Sequence, residues 1–124
     1  MAEHNELGKS GETAALEYLQ GKGYIILDTN WRRGKLELDI IAKTDDELVF
    51  VEVKTRSVHS LIDPESAVDK AKIRNIVTAA DIYMKMSPID LPARFDIISI
   101  ISHELRFEID HIEDAFYPPL NTYK

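Results

Sequence analysis

Glu52 and Lys54 stand two residues apart in the run Phe50-Val51-Glu52-Val53-Lys54-Thr55-Arg56, inside a segment otherwise composed as a core strand. In an extended strand, side chains at i and i+2 share a face. Leu48, Phe50, Glu52 and Lys54 therefore line one face, and Val49, Val51 and Val53 the other. Upstream, residues 36–42 form a second strand-like run, with Glu37, Asp39 and Ile41 on one face and Leu36, Leu38 and Ile40 on the other. A polar turn at Thr44, Asp45 and Asp46 joins the two runs, so they can close as an antiparallel hairpin. If the faces match, Asp39 comes near Glu52 and Lys54. Paired carboxylates repel and raise each other's pKa unless a cation neutralises them. A hard divalent ion such as Mg2+ seeks oxygen ligands of this kind, and a nearby lysine can hold an attacking water or offset charge developing on a phosphate. The same residues also fit a cross-strand salt bridge on a solvated sheet face, which stabilises a protein only weakly.

A helix near the N-terminus bears on that choice. Gly8-Lys9-Ser10-Gly11 leads into residues 12–20, and Gly21 and Gly23 break the helix at its C-terminal end. Glu12, Ala15, Leu16 and Leu19 fall at i, i+3, i+4 and i+7, the core-facing stripe. A carboxylate on that stripe must be paired, hydrogen-bonded or metal-bound, because burying a lone charge is very costly. The alternative is that Glu12, in the first turn, reaches solvent and favours the helix dipole.

Taken in order, the pattern Gly8-x-x-Gly11-Glu12-x-x-Ala15-x-x-Tyr18-Leu19, then Glu37-Leu38-Asp39-Ile40-Ile41-Ala42, then Phe50-Val51-Glu52-Val53-Lys54-Thr55-Arg56 resembles the YraN-like family of small bacterial proteins. That family is related by fold to the PD-(D/E)xK restriction-endonuclease-like nucleases and to archaeal Holliday junction resolvases. The resemblance covers residues 2–116. It implies that Asp39 is the first metal-binding aspartate, Glu52 the second acidic ligand, Lys54 the catalytic lysine and Glu12 the helix carboxylate that completes the site around Mg2+ or Mn2+. Lys72 looks like the helix lysine of related sequences. Two departures concern loop geometry: Leu36 occupies the place where the family usually has glycine, with Gly34 two residues earlier, and residues 60–68 match only loosely.

The elements that must position these residues can be read from periodicity. Residues 24–31 read as a first strand after the helix. A loop at residues 57–62 leads to a helix with Asp63 as N-cap and Pro64 at its first position. Ile73, Ile76, Val77, Ala80, Tyr83 and Met84 form its apolar stripe, which ends before Pro88. Pro88 and Pro92 mark the connection to a buried strand at residues 94–101, and residues 105–111 supply a last one. The order α-β-β-β-α-β(-β) is that of an α/β protein, in which the long helix acts as a crossover returning a parallel strand to the sheet. The resemblance implies the same mixed sheet, flanked by helices, in a single restriction-endonuclease-like domain.

With 124 residues and 44% hydrophobic content, the chain is sized for one domain, expected at residues 1–117 with a tail at 118–124. The absence of cysteine excludes disulfides and thiolate metal sites and fits a reducing cytosol. The polar, acidic start, Met1-Ala2-Glu3-His4-Asn5-Glu6, reads as neither a signal peptide nor a membrane span, so a cytoplasmic protein is expected. His4, His59, His103 and His111 lack zinc-motif spacing, and Trp31 reads as a half-buried strand residue rather than a base-stacking platform.

A formal charge of −7 opposes non-specific phosphate binding, which depends on Lys and Arg displacing counterions. Distribution works the other way: Arg32, Arg33 and Lys35 precede the first acidic strand, Arg56 follows Lys54, and Lys70, Lys72 and Arg74 gather on the second helix. The reading that results is a metal-dependent endonuclease acting on DNA, including branched or distorted DNA. Its main rival is a non-catalytic nucleic-acid-binding or partner-binding module that keeps the fold; a third reading is a structural acidic protein with ion-paired strands. A homodimer and an unidentified protein partner are left open.

Overall fold

The computed structural model describes residues 2–57 and 69–116, with side chains from residue 11 onward. Helix α1 (Ala2–Gly21) leads into strands β1 (Ile25–Arg33), β2 (Leu36–Lys43) and β3 (Leu48–Ser57); helix α2 (Lys70–Met86) then precedes β4 (Ala93–Ser102) and β5 (Phe107–Ile112). This is the α/β order expected, with the last strand formed. The five strands make one sheet in sequence order, β1-β2-β3-β4-β5. All neighbours are antiparallel except β3 and β4, whose parallel pairing needs the α2 crossover.

One helix covers each face, so there are two cores. Ala15 and Leu19 of α1 pack with Ile40, Ala42, Val49, Val51, Ile98 and Ile100. On the other face, Ile76, Ala79 and Ala80 of α2 pack with Ile41, Leu48, Phe50 and Phe95. The period-2 alternation of β3 and β4 produces this two-sided burial. Trp31 joins the α2 cluster and meets Tyr83 edge-on, with ring centroids 5.6 Å apart.

Two element boundaries differ from the sequence-based expectation. Gly8 to Gly11 lie inside α1 rather than ahead of it. The helix passes so close to β3 that a Cβ added at Gly11 would collide with the Thr55 hydroxyl. Glycine there permits the close approach, one residue before Glu12. The cap expected at Asp63, with Pro64 after it, lies outside the described residues. As described, α2 is capped by Asp69, whose Oδ1 accepts the Lys72 N–H at 2.8 Å. No helix among the described residues is long and apolar enough to cross a membrane.

Candidate active site at a fork in the sheet

The sheet forks beside Asp39. β2 pairs with β1 along its whole length, but with β3 only from Ile40↔Val51 to Lys43↔Leu48. Beyond that point β3 continues against β4 alone, as far as Ser57↔Ser102. Asp39 and Glu52 are the first residues past the last β2–β3 pair, so they stand opposite each other where the strands part. The Val53 N–H, released from the ladder, donates instead to Asp39 Oδ2 at 2.9 Å. That bond fixes the aspartate at the mouth of the fork and satisfies a backbone donor that would otherwise be orphaned.

The alternation expected for β2 breaks here. It placed Leu36, Leu38 and Ile40 on one face, yet Ile40 packs in the α1 core while Leu38 and Leu36 pack with the α2 cluster. An irregularity lies directly across the strand from the break. Asn30 has φ +51, and the β1–β2 register runs through Thr29↔Ile40 and Trp31↔Leu38 without an Asn30–Asp39 pair. A left-handed residue within a strand rotates the residues after it, so one pleat is lost.

The carboxylates are poorly neutralised. Glu52 is 7% exposed; burial first, then repulsion from Asp39, pushes its pKa up to about 7 despite Lys72 nearby. Asp39 is also raised, chiefly by burial, with the Val53 bond and the Glu52 and Lys72 side chains opposing the rise. Lys72 Nζ lies 3.4 Å from Glu52 Oε2, so the helix lysine makes the ion pair. Lys54 shares the Glu52 face of β3, half-buried, and its ammonium pairs with no other described side chain. Glu12 approaches Asp39 from α1: the two line one cleft with Thr29 and Asn30. Burial and Asp39 raise the Glu12 pKa, while the Asn30 side chain draws it down.

Asp39, Glu52 and Lys72 are thus in mutual reach, Lys54 lies beside them on the strand, and Glu12 flanks Asp39 from the other helix. Among the described residues, no three His, Cys, Asp or Glu side chains form a closed ligand group. The donors at hand suit Mg2+ or Mn2+ in type, since such ions accept one or two carboxylates and keep several waters. The basic residues do not form one patch. Arg32 pairs with Glu37 at 3.2 Å, and Arg33 Nη1 donates to Met86 Sδ at the far end of α2. Lys35, Lys70 and Arg74 are exposed. Arg56 is half-buried, with Nη2 3.5 Å from Ser99 Oγ and Nε without a hydrogen-bond partner among the described residues.

The raised carboxylates set a pH dependence. A carboxyl whose folded pKa exceeds its unfolded value contributes stability below the unfolded pKa and loses it as pH rises through the folded one. The melting temperature of the metal-free protein is therefore expected to fall from about pH 5 to about pH 8 as the pair ionises. Asp39→Asn removes the repulsion and should flatten that fall without lowering stability at the upper end. Mn2+ should restore stability at the upper end in the wild type, with proton release measurable by calorimetry in buffers of different ionisation heat. A wild-type melting profile parallel to that of Asp39→Asn, both with and without Mn2+, would show that the carboxylates are not coupled.

Sequence reasoning identified the acidic residues but missed Asn30. Its only signal was that asparagine tolerates the left-handed region better than most residues.

The profile of the family described as Uncharacterised protein family UPF0102 matches residues 11–100. A UPF0102 protein of Bacteroides thetaiotaomicron is 59% identical over 120 residues, covering 97% of this chain and 99% of the relative. Similar proteins occur in Parabacteroides distasonis, at 56% identity over 96% of this chain and 98% of the relative, and in Flavobacterium psychrophilum, at 50% over 94% and 98%.

Proposed function

The chain belongs to the UPF0102 family, and from that premise we propose that it is a metal-dependent endonuclease of the PD-(D/E)xK type, cutting phosphodiester bonds in DNA. The observation that carries the reading is the pair Asp39 and Glu52 at the fork, Glu52 pushed up to about 7, with Lys54 two residues further along the same strand face. Two carboxylates held together at such a cost fit a site made for a cation. The order of the strands and the ExK spacing match the restriction-endonuclease-like pattern that the sequence resembles.

In this reading Asp39 and Glu52 hold Mg2+ or Mn2+, with Glu12 supporting from α1. The ion supplies Lewis acidity at the scissile phosphate. Lys54 positions the attacking water and offsets charge on the phosphate oxygens. Lys72, paired with Glu52 and exposed at the edge of the site, would contact a substrate phosphate. Lys70 and Arg74, exposed on the same helix, hold the strand on either side. A distorted or branched substrate is carried by the family resemblance alone.

The rival, a binding module without chemistry, draws on the net charge of −7 and on the lack of a closed three-carboxylate group among the described residues. Incubation with Mn2+ and labelled duplex, single-strand, flap and four-way DNA separates them. Metal-dependent cleavage abolished by Asp39→Asn is expected. Binding without cleavage favours the rival, and neither binding nor cleavage of any substrate removes DNA from consideration.

A further inference from the structure

Asn30 lies on the opposite strand from Asp39, in a backbone conformation that regular β structure does not use. Three observations meet there. Its φ of +51 falls in the left-handed region, which non-glycine residues enter rarely and mostly where the surroundings demand it. The ladder keeps its register on both sides of Asn30 and Asp39 but omits that pair. The Asn30 side chain, freed from the strand's ordinary alternation, faces the Glu12 carboxylate in the cleft that both share with Asp39.

We propose that Asn30 is the positioning residue of this site: its left-handed backbone turns β2 so that Asp39 faces the fork and the α1 cleft together, and its amide holds Glu12 toward Asp39. A regular β1 would keep the alternation of β2 intact and leave Leu38 in phase with Ile40. Instead Leu38 and Ile40 pack on opposite faces, and Asp39, between them, is turned to meet Val53, Glu52 and Glu12. The amide has a second use. Glu12 shares its cleft with the Asn30 amide, which can donate to a carboxylate, and with Asp39, whose like charge pushes it away. Without that contact the Glu12 side chain gains by swinging out to solvent, away from Asp39.

The inference rests on the metal-site reading, and Mn2+ affinity tests the two separately. Wild type, Asn30→Gly, Asn30→Val, Glu12→Gln and the double variant Asn30→Gly/Glu12→Gln are titrated calorimetrically, with melting temperature as a control on folding. Glycine keeps the left-handed backbone accessible and removes only the amide, so Asn30→Gly should lose roughly tenfold in affinity, the scale on which groups that orient a ligand act. In the Glu12→Gln background the same change should cost nothing further, because its target is gone. Valine, β-branched and strained at positive φ, should lose more than glycine by turning Asp39 away. Wild-type binding with Asn30→Gly unchanged overturns the role of the amide. Asn30→Val folded and binding as wild type overturns the role of the backbone. A wild type that binds no Mn2+ takes down the site reading and this inference with it.

Discussion

Lys54→Ala is expected to reduce metal-dependent DNA cleavage on the order of a hundredfold or more, equivalent to about 2.7 kcal/mol of transition-state stabilisation, while substrate affinity changes little. The ammonium lies on the face of β3 that carries Glu52 and is tied to no other described side chain, so it is free to meet a water or a phosphate oxygen. Such an interaction strengthens as charge develops, so its loss appears in kcat rather than in binding. Lys54→Arg should rescue poorly, because a wide planar fork does not replace a compact point charge at an attacking water. Single-turnover cleavage on a four-way or flap substrate, with binding measured in Ca2+, separates the two quantities. Equal losses of affinity and rate would make Lys54 a phosphate contact, and an undiminished rate would remove it from the chemistry.

Asp96→Ala is expected to cost about 3 kcal/mol of stability, enough to lower the melting temperature by about 10 °C in a domain of this size. Asp96 is fully buried on the α1 face of β4 and anchors a network of donors. It accepts Arg94 Nε at 2.9 Å and Nη2 at 2.8 Å, His111 Nε2 at 2.7 Å and the Asp114 N–H at 3.1 Å. Burial alone would raise its pKa, but the bonds from Arg94, His111 and Asp114 outweigh that and hold it below the usual carboxylate range. Its contribution is therefore present at neutral pH and is lost only as pH falls through that depressed value. The network also ties distant parts of the chain. Arg94 reaches Tyr24 Oη and Glu47 Oε1, and the Tyr18 hydroxyl meets His111 Nδ1 at 3.2 Å. Removing Asp96 leaves a buried guanidinium short of its main partner, the costliest way to break such a pair. The double change Arg94→Met/Asp96→Leu should be less destabilising than Asp96→Ala alone, as read from urea midpoints. None of Tyr18, Tyr24, Arg94, Asp96 and His111 lines the cleft of Glu12 and Asp39, so Mn2+ affinity should change little. A loss under about 1 kcal/mol, the range of an ordinary exposed ion pair, would mean that Glu47 and Glu113 suffice to hold Arg94, their oxygens lying 2.9 and 3.8 Å from it.

The sequence alone determined the elements and their order, because each rests on local periodicity. The alternating valines of β3, the i, i+3, i+4, i+7 stripe of α1 and the proline-marked connection into β4 are readable without any partner strand. It also singled out Asp39, Glu52 and Lys54 as charges placed among core residues, and Trp31 as a packing residue. It did not contain the fork. Whether two adjacent strands stay paired or part depends on which neighbour each prefers beyond Ile40 and Val51, and that is settled by β1, β4 and the two helices together. The same holds for the lost pleat at Asn30, which reverses the facing of Leu38, and for Gly11, which reads as a helix lead-in until Thr55 of β3 is seen against it. It holds as well for Lys72, twenty residues after Glu52 in sequence and 3.4 Å from it in space. Periodicity encodes which face a residue prefers within its own element. Register, strand divergence and the meeting of charges from different elements are long-range outcomes of packing two helices onto one twisted sheet, and no local pattern carries them.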